Sequence, residues 1–295
     1  MTPFSRNTVV FHVGAHKTGT SLLQKYMRDN VALLRRHRIH YISRGAMNDL
    51  VGWGNQLLTD PDPLAREIRT TLLIPWFTTV IASHENTLGR PLRKHGAHLY
   101  PRAPEIIEAL GDVLAPYNAK IVFSIRPQDQ FIESYYLQSI HEGRHERFDD
   151  WYAKLDHDAL SWRPLVDTLH KVFGHKQVDV VDFRTIRRGQ EAYITDFFTR
   201  IDPRFTFDIE YSAMRNPSIS GKGLDMALAA NPHLRSGEER KLMRKFLQRH
   251  FSNQRYRRPV LLSDDQKQAL RDRYAAEYET LISVSQPATG ATAEH

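Results

Sequence analysis

Val9-Val10-Phe11-His12-Val13 is an apolar, β-branched run that breaks into Gly14-Ala15-His16-Lys17-Thr18-Gly19-Thr20-Ser21 before the helical run Leu22-Leu23-Gln24 begins. A buried strand, a tight glycine-containing loop and a helix in that order form a phosphate-binding strand-loop-helix. The two glycines let the backbone turn and approach an anion, while amide N–H groups, one lysine and the hydroxyls of Thr18, Thr20 and Ser21 converge at the positive end of a helix. The spacing also separates this loop from that of nucleoside triphosphatases, which reads G-x-x-x-x-G-K-[ST]. Gly14 and Gly19 are correctly separated, but Thr20 occupies the lysine position and Lys17 lies inside the loop.

A second anion-binding constellation follows. Lys120-Ile121-Val122-Phe123-Ser124-Ile125 reads as a strand, Arg126 ends it, Pro127 supplies a first helical residue, and Ser134 lies eight residues after Arg126. An arginine at the carboxyl end of a parallel strand offers a planar fork to a dianion, and a serine on the next helix adds a neutral donor.

Together, Lys17-Thr18-Gly19-Thr20-Ser21 and the Arg126/Ser134 pair resemble the two nucleotide-binding signatures of sulfotransferases, the bacterial and carbohydrate-directed branches above all. Tyr135 to Trp151 and Val178-Asp179-Val180-Val181-Asp182-Phe183 also look like the family, so the resemblance runs from about residue 8 to about residue 250. It implies a P-loop-containing three-layer αβα sandwich and transfer of the sulfuryl group of 3′-phosphoadenosine 5′-phosphosulfate (PAPS) to an acceptor hydroxyl or amine. Adenosine 3′,5′-bisphosphate (PAP) would be the product, with no metal required. By that resemblance His16, Lys17, Thr18, Gly19, Thr20 and Ser21 hold the 5′-phosphate, with Lys17 beside the bridging oxygen that leaves, and Arg126 with Ser134 holds the 3′-phosphate. Cytosolic relatives close a basic glycine-containing loop over the 3′-phosphate. Here that region reads Arg215-Asn216-Pro217-Ser218, without their R-K-G pattern, which leaves Arg215 and Ser218 as candidates.

The reaction needs a base for the acceptor proton and a counter-charge for the departing phosphate. Glu85, just past a third strand, is the first candidate base, because carbohydrate-directed relatives place a glutamate in such a site. His84 is the alternative, a histidine after a comparable strand in relatives that act on small molecules. His12, inside a strand, and His16, a loop or substrate-edge contact, rank behind both. The acceptor is expected to be a carbohydrate or glycolipid. Trp53, Trp76 and His98-Leu99-Tyr100 are either sugar-stacking or packing residues.

The chain has 295 residues, no cysteine and a net charge of +7. One α/β domain over 1–285 with a disordered tail at 286–295 accounts for the length. The absence of cysteine excludes disulfides, thiolate metal sites and a cysteine nucleophile. The positive charge suits an anionic cofactor, an anionic acceptor or an acidic membrane surface, without indicating a specific nucleic-acid partner. No apolar run is long enough to cross a bilayer, and the expected location is the cytoplasm. Arg35-Arg36-His37-Arg38 reads as a helix end whose cations complement the dipole, and Arg255-Tyr256-Arg257-Arg258 as a solvated turn.

Periodicity predicts a first helix from about Thr20 to about Arg36 and strands at 39–42 and 78–83. It also predicts an insertion at 44–76 over the site, a mobile loop at 88–102 and a helix over 104–114. The last third reads as helical, and Ser236-Gly237-Glu238-Glu239 and Ser263-Asp264-Asp265-Gln266 both fit the capping box. Two rival functions remain. One is a P-loop kinase or NTPase with Ser21 on Mg²⁺ and Asp182 as its acid; the other is a non-catalytic anion-binding module on the same fold.

Overall fold

The computed structural model describes residues 7–92, 98–202 and 217–284. Arg215, residues 93–97 of the expected loop and the 286–295 tail lie outside them. The strands are β1 (Thr8–His12), β2 (Ile39–Ile42), β3 (Thr79–Ser83), β4 (Asn118–Ile125) and β5 (Val178–Asp182). Helices α1 (Thr20–Asp29), α2 (Val31–Arg36), α3 (Arg44–Leu50), α4 (Asn55–Thr59), α5 (Asp62–Leu73) and α6 (Ala103–Leu114) fall between the first four strands. Next come α7 (Gln128–His141), α8 (Phe148–Tyr152), α9 (Arg163–Phe173), α10 (Gln190–Ile201), α11 (Gly221–Ala230), α12 (Gly237–His250) and α13 (Asp264–Val284).

The described residues form two compact units: 7–126 with 161–202 and 277–284, and 127–160 with 217–276. The first is an α/β sandwich whose five strands are parallel in the order β2-β3-β1-β4-β5. Val9, Val10 and Phe11 of β1, Val80 to Ala82 of β3 and Ile121 to Phe123 of β4 are fully buried, as strands covered on both faces must be. Each of these valines, isoleucines and phenylalanines contributes roughly 1.5–3 kcal/mol. Helices α1 and α10 pack together in one layer, and α5, α6 and α9 in another. The second unit is helical, with α7, α11 and α12 packed on one another. Both capping boxes are formed there: Ser236 with Glu239, and Ser263 with Gln266.

Three local readings change. The first helix breaks in two at Asn30, whose backbone leaves the helical region (φ −115°, ψ 28°) while its side chain and its own N–H both donate to the Tyr26 carbonyl. The 44–76 segment holds three helices rather than one short patch, the first capped by Ser43, whose hydroxyl accepts from the Ala46 amide. In the 88–102 segment Leu99 and Tyr100 are buried, and the Tyr100 amide donates to the Pro91 carbonyl, so those residues are anchored. Arg35 and Arg36 do close a helix, α2.

Candidate functional site

Register brings the carboxyl ends of the three central strands together: His12 stands opposite Ser83 on β3, and the Ala15 amide donates to the Ser124 carbonyl of β4. Ligands gather at such ends in parallel sheets. The His12 ring is fully buried, with Nδ1 2.9 Å from the Ser83 hydroxyl and Nε2 3.3 Å from that of Ser124. Tyr193 of α10 reaches the same Ser124 and donates to the Thr18 carbonyl at 2.7 Å. Burial holds the His12 imidazole down at about 4, so at neutral pH it is an uncharged strut beneath the loop.

The loop above this network is tightly wound. Lys17 (φ 68°) and Gly19 (φ 80°) both have left-handed backbones. A Cβ on Gly19 would stand 3.0 Å from the rings of Phe183 and Tyr193. The Thr18 hydroxyl donates to the Ala15 carbonyl, and Arg126, at the end of β4, donates to the Lys17 carbonyl at 3.2 Å from a position over the Phe183 ring. Gly19 is the N-cap of α1 and no described side chain caps this helix; the Leu22 amide donates to the Gly19 carbonyl, which leaves the Thr20 and Ser21 amides without a helical partner. Thr20 is 4 % exposed, and its hydroxyl has no partner among the described residues. A Cβ on Gly14 would lie 3.0 Å from that hydroxyl and from His12 Nε2, and 2.9 Å from the Thr18 hydroxyl. Glycine therefore keeps open a small polar cradle, which fits a phosphate.

Glu85 follows β3 with its side chain 14 % exposed. It pairs with Arg44 of α3 at 3.1 Å and accepts from Gln24 of α1 at 3.1 Å; the same Gln24 amide also donates to the Ser83 carbonyl. Burial pushes its carboxyl up, but the Arg44 guanidinium and then its own backbone amide act against burial, and the carboxyl lies below the usual range. His84 is fully buried, and burial holds it at about 4. Its Nε2 donates to Asn48 Oδ1 at 2.8 Å, which leaves Nδ1 to accept from Thr87 at 3.1 Å.

His16 is also buried, 1 % exposed. Its backbone amide donates to the Tyr100 hydroxyl, which in turn donates to Nδ1 of the same residue, both at 2.8 Å. That fixes the proton on Nε2, 3.1 Å from Asn86 Oδ1, and the ring stacks on Trp53. Burial holds its pKa at about 4, and it lies within electrostatic reach of Glu85, His84 and Lys17. Lys17, His16, His84 and Glu85 thus form one cluster.

Of the remaining sequence candidates, Trp76 and Asp182 belong to the first unit and Ser134 and Ser218 to the second. Ser134 is half-buried on α7 of the second unit. Ser218 belongs to that unit too, its carbonyl accepting from the Asn253 amide. Trp76 lies at the amino end of β3, where its indole donates to the Arg35 carbonyl, away from the loop. Asp182 is occupied by Arg184 at 2.7 Å and Tyr278 at 2.8 Å. A cleft of about 530 Å³ between α6 and α9 opens at the start of β4, at the opposite ends of the strands. Sequence reasoning missed Gln24, Arg44, Asn48 and Tyr193, each tens of residues from its partner. No motif links such pairs; only the strand order brings them together.

No family model and no curated protein matches the chain. Among solved structures it is similar to the crystal structure of a sulfotransferase from Alicyclobacillus acidocaldarius, with 17% sequence identity and a TM-score of 0.43 over 78% of this chain and 98% of that one.

Proposed function

We propose that the chain is a sulfotransferase that moves the sulfuryl group of PAPS to a hydroxyl or amine of a carbohydrate or glycolipid acceptor. The observation that carries this reading is the uncapped β1-loop-α1 cradle, with its unpartnered Thr20 hydroxyl, in one cluster with a charged and nearly buried Glu85. Lys17 and the amides of Thr18, Gly19, Thr20 and Ser21 hold the 5′-phosphate. Arg126 serves the 3′-phosphate, while Ser134, Arg215 and Ser218 rest on the sequence resemblance. His16 serves indirectly, because its ring and amide are spent on Tyr100 and Asn86.

PAPS, when bound, supplies the electrophilic sulfur and a phosphate leaving group. Glu85 takes the proton of the attacking acceptor, kept ionised by Arg44 and oriented by Gln24. Lys17 meets the charge that grows on the leaving oxygen. Glu85 is favoured over His84 because both nitrogens of His84 are already bonded. The NTPase reading loses its acid, since Asp182 is bound by Arg184 and Tyr278.

The test is transfer from labelled PAPS to a panel of sugars, glycolipids and phenols. Glu85→Gln keeps the side-chain shape and should retain PAP affinity while transfer falls by about 10²–10⁴-fold. Wild-type rates in Glu85→Gln, together with an inactive His84→Ala, would move the base to His84.

A further inference from the structure

Between Arg240 and Ser263 the chain carries eight lysines and arginines and no aspartate or glutamate, so this one stretch is +8 in a chain whose net charge is +7. The stretch is α12 and the segment that follows it, all within the second unit. On α12 Leu247 faces inward, buried to 1 % exposure, while Leu242 and Phe246 are 60 % and 46 % exposed. At 3.6 residues per turn these two stand one turn apart on the outward face, with Lys245 and Arg249 beside them. The apolar row continues past the helix: Phe246 packs on Phe251, Phe251 stacks on Tyr256, and Lys222 of α11 lies 4.9 Å over the Tyr256 ring. Arg255, Arg257 and Arg258 are exposed around it, and Val260 is 86 % exposed.

Outward apolar side chains framed by cations, with Glu238 one turn before Leu242 as an acid at the start of the row, match a helix lying in the interface of an anionic bilayer, its apolar face among the acyl chains and its cations among the headgroups. Exposed aliphatic residues such as Leu242 and Val260 favour a lipid surface over RNA, where aromatic stacking and cations would suffice. We propose that this face of the second unit docks the protein on membranes containing anionic phospholipid.

The experiment is sedimentation of the full chain, without nucleotide, on phosphatidylcholine vesicles with and without phosphatidylglycerol. Binding should require phosphatidylglycerol and weaken with salt. Lys245→Ala with Arg249→Ala should lower the partition coefficient by roughly 30-fold, about fivefold per cation. Leu242→Ser with Phe246→Ser should abolish binding without altering the thermal transition. In Phe246→Trp the indole emission should shift to the blue on vesicles and be quenched by brominated lipid. Failure of the wild type to sediment with anionic vesicles would overturn the proposal, as would variants that bind like wild type, or RNA binding that these variants lose while vesicle binding persists. None of these readouts depends on nucleotide binding.

Discussion

Glu85 owes its charge to its neighbours. Burial works against the carboxylate, and Arg44, 3.1 Å away, is the largest influence in its favour. Arg44 is half exposed, on the solvent side of the pair, so replacing it should leave the fold intact. Arg44→Ala should raise the Glu85 pKa and move the acidic limb of the pH–rate profile for sulfuryl transfer to higher pH, with Arg44→Lys restoring most of the shift. An unmoved acidic limb would show that Glu85 is not the group titrating. At this scale the sequence told the residue types but not their pairing. Glu85 and His84 are both visible as polar residues after a strand. That one ring is closed off by Asn48 and Thr87 while the carboxylate keeps 14 % of its surface open depends on α3, whose packing no local pattern announces.

The loop and its supports behave as one element. Tyr193 ties α10 to the Thr18 carbonyl and to the buried Ser124, and Tyr100 ties the 98–102 segment to His16. Tyr193→Phe removes the donor and leaves the carbonyl unpaired, a loss of about 1–3 kcal/mol. Its denaturation midpoint should fall and its affinity for PAP should weaken in step, as calorimetry would show; an unchanged affinity would mean that the loop holds its shape without α10. Much of this level was legible. The strands announced themselves as short β-branched runs, the β1-loop-α1 unit by its glycines, and two helix starts by Ser236 with Glu239 and Ser263 with Gln266, because each of those signals acts within a few residues. The break at Asn30 was not, since the backbone turns at this one residue, with its side chain bonding back to Tyr26, inside an apolar stripe that continues at helical spacing into α2. Nor was Tyr100, which holds the β1-α1 loop from a segment whose composition reads as a mobile loop.

For the molecule as a whole, three buried histidines make stability depend on pH. Burial holds His12, His16 and His84 at about 4 in the folded chain, against 6.5 when unfolded. Between those values the unfolded chain binds more protons, so this stability is fully present above about pH 6.5 and is lost as pH falls toward 4. His12 alone accounts for roughly 3 kcal/mol. Urea midpoints should therefore drop between pH 6.5 and 4, and a flat profile would mean that the rings open to solvent before they titrate. No described helix is long and apolar enough to cross a membrane. Binding of a 3′-phosphorylated nucleotide to the loop, without metal, is the claim on which the functional reading depends. Thermal unfolding in EDTA with PAP, compared with MgATP, tests it directly. PAP at about 100 times its dissociation constant should stabilise the fold by roughly 2.7 kcal/mol and MgATP far less. Stabilisation by MgATP with none from PAP would contradict the sulfotransferase reading and return the chain to the nucleotide triphosphatases.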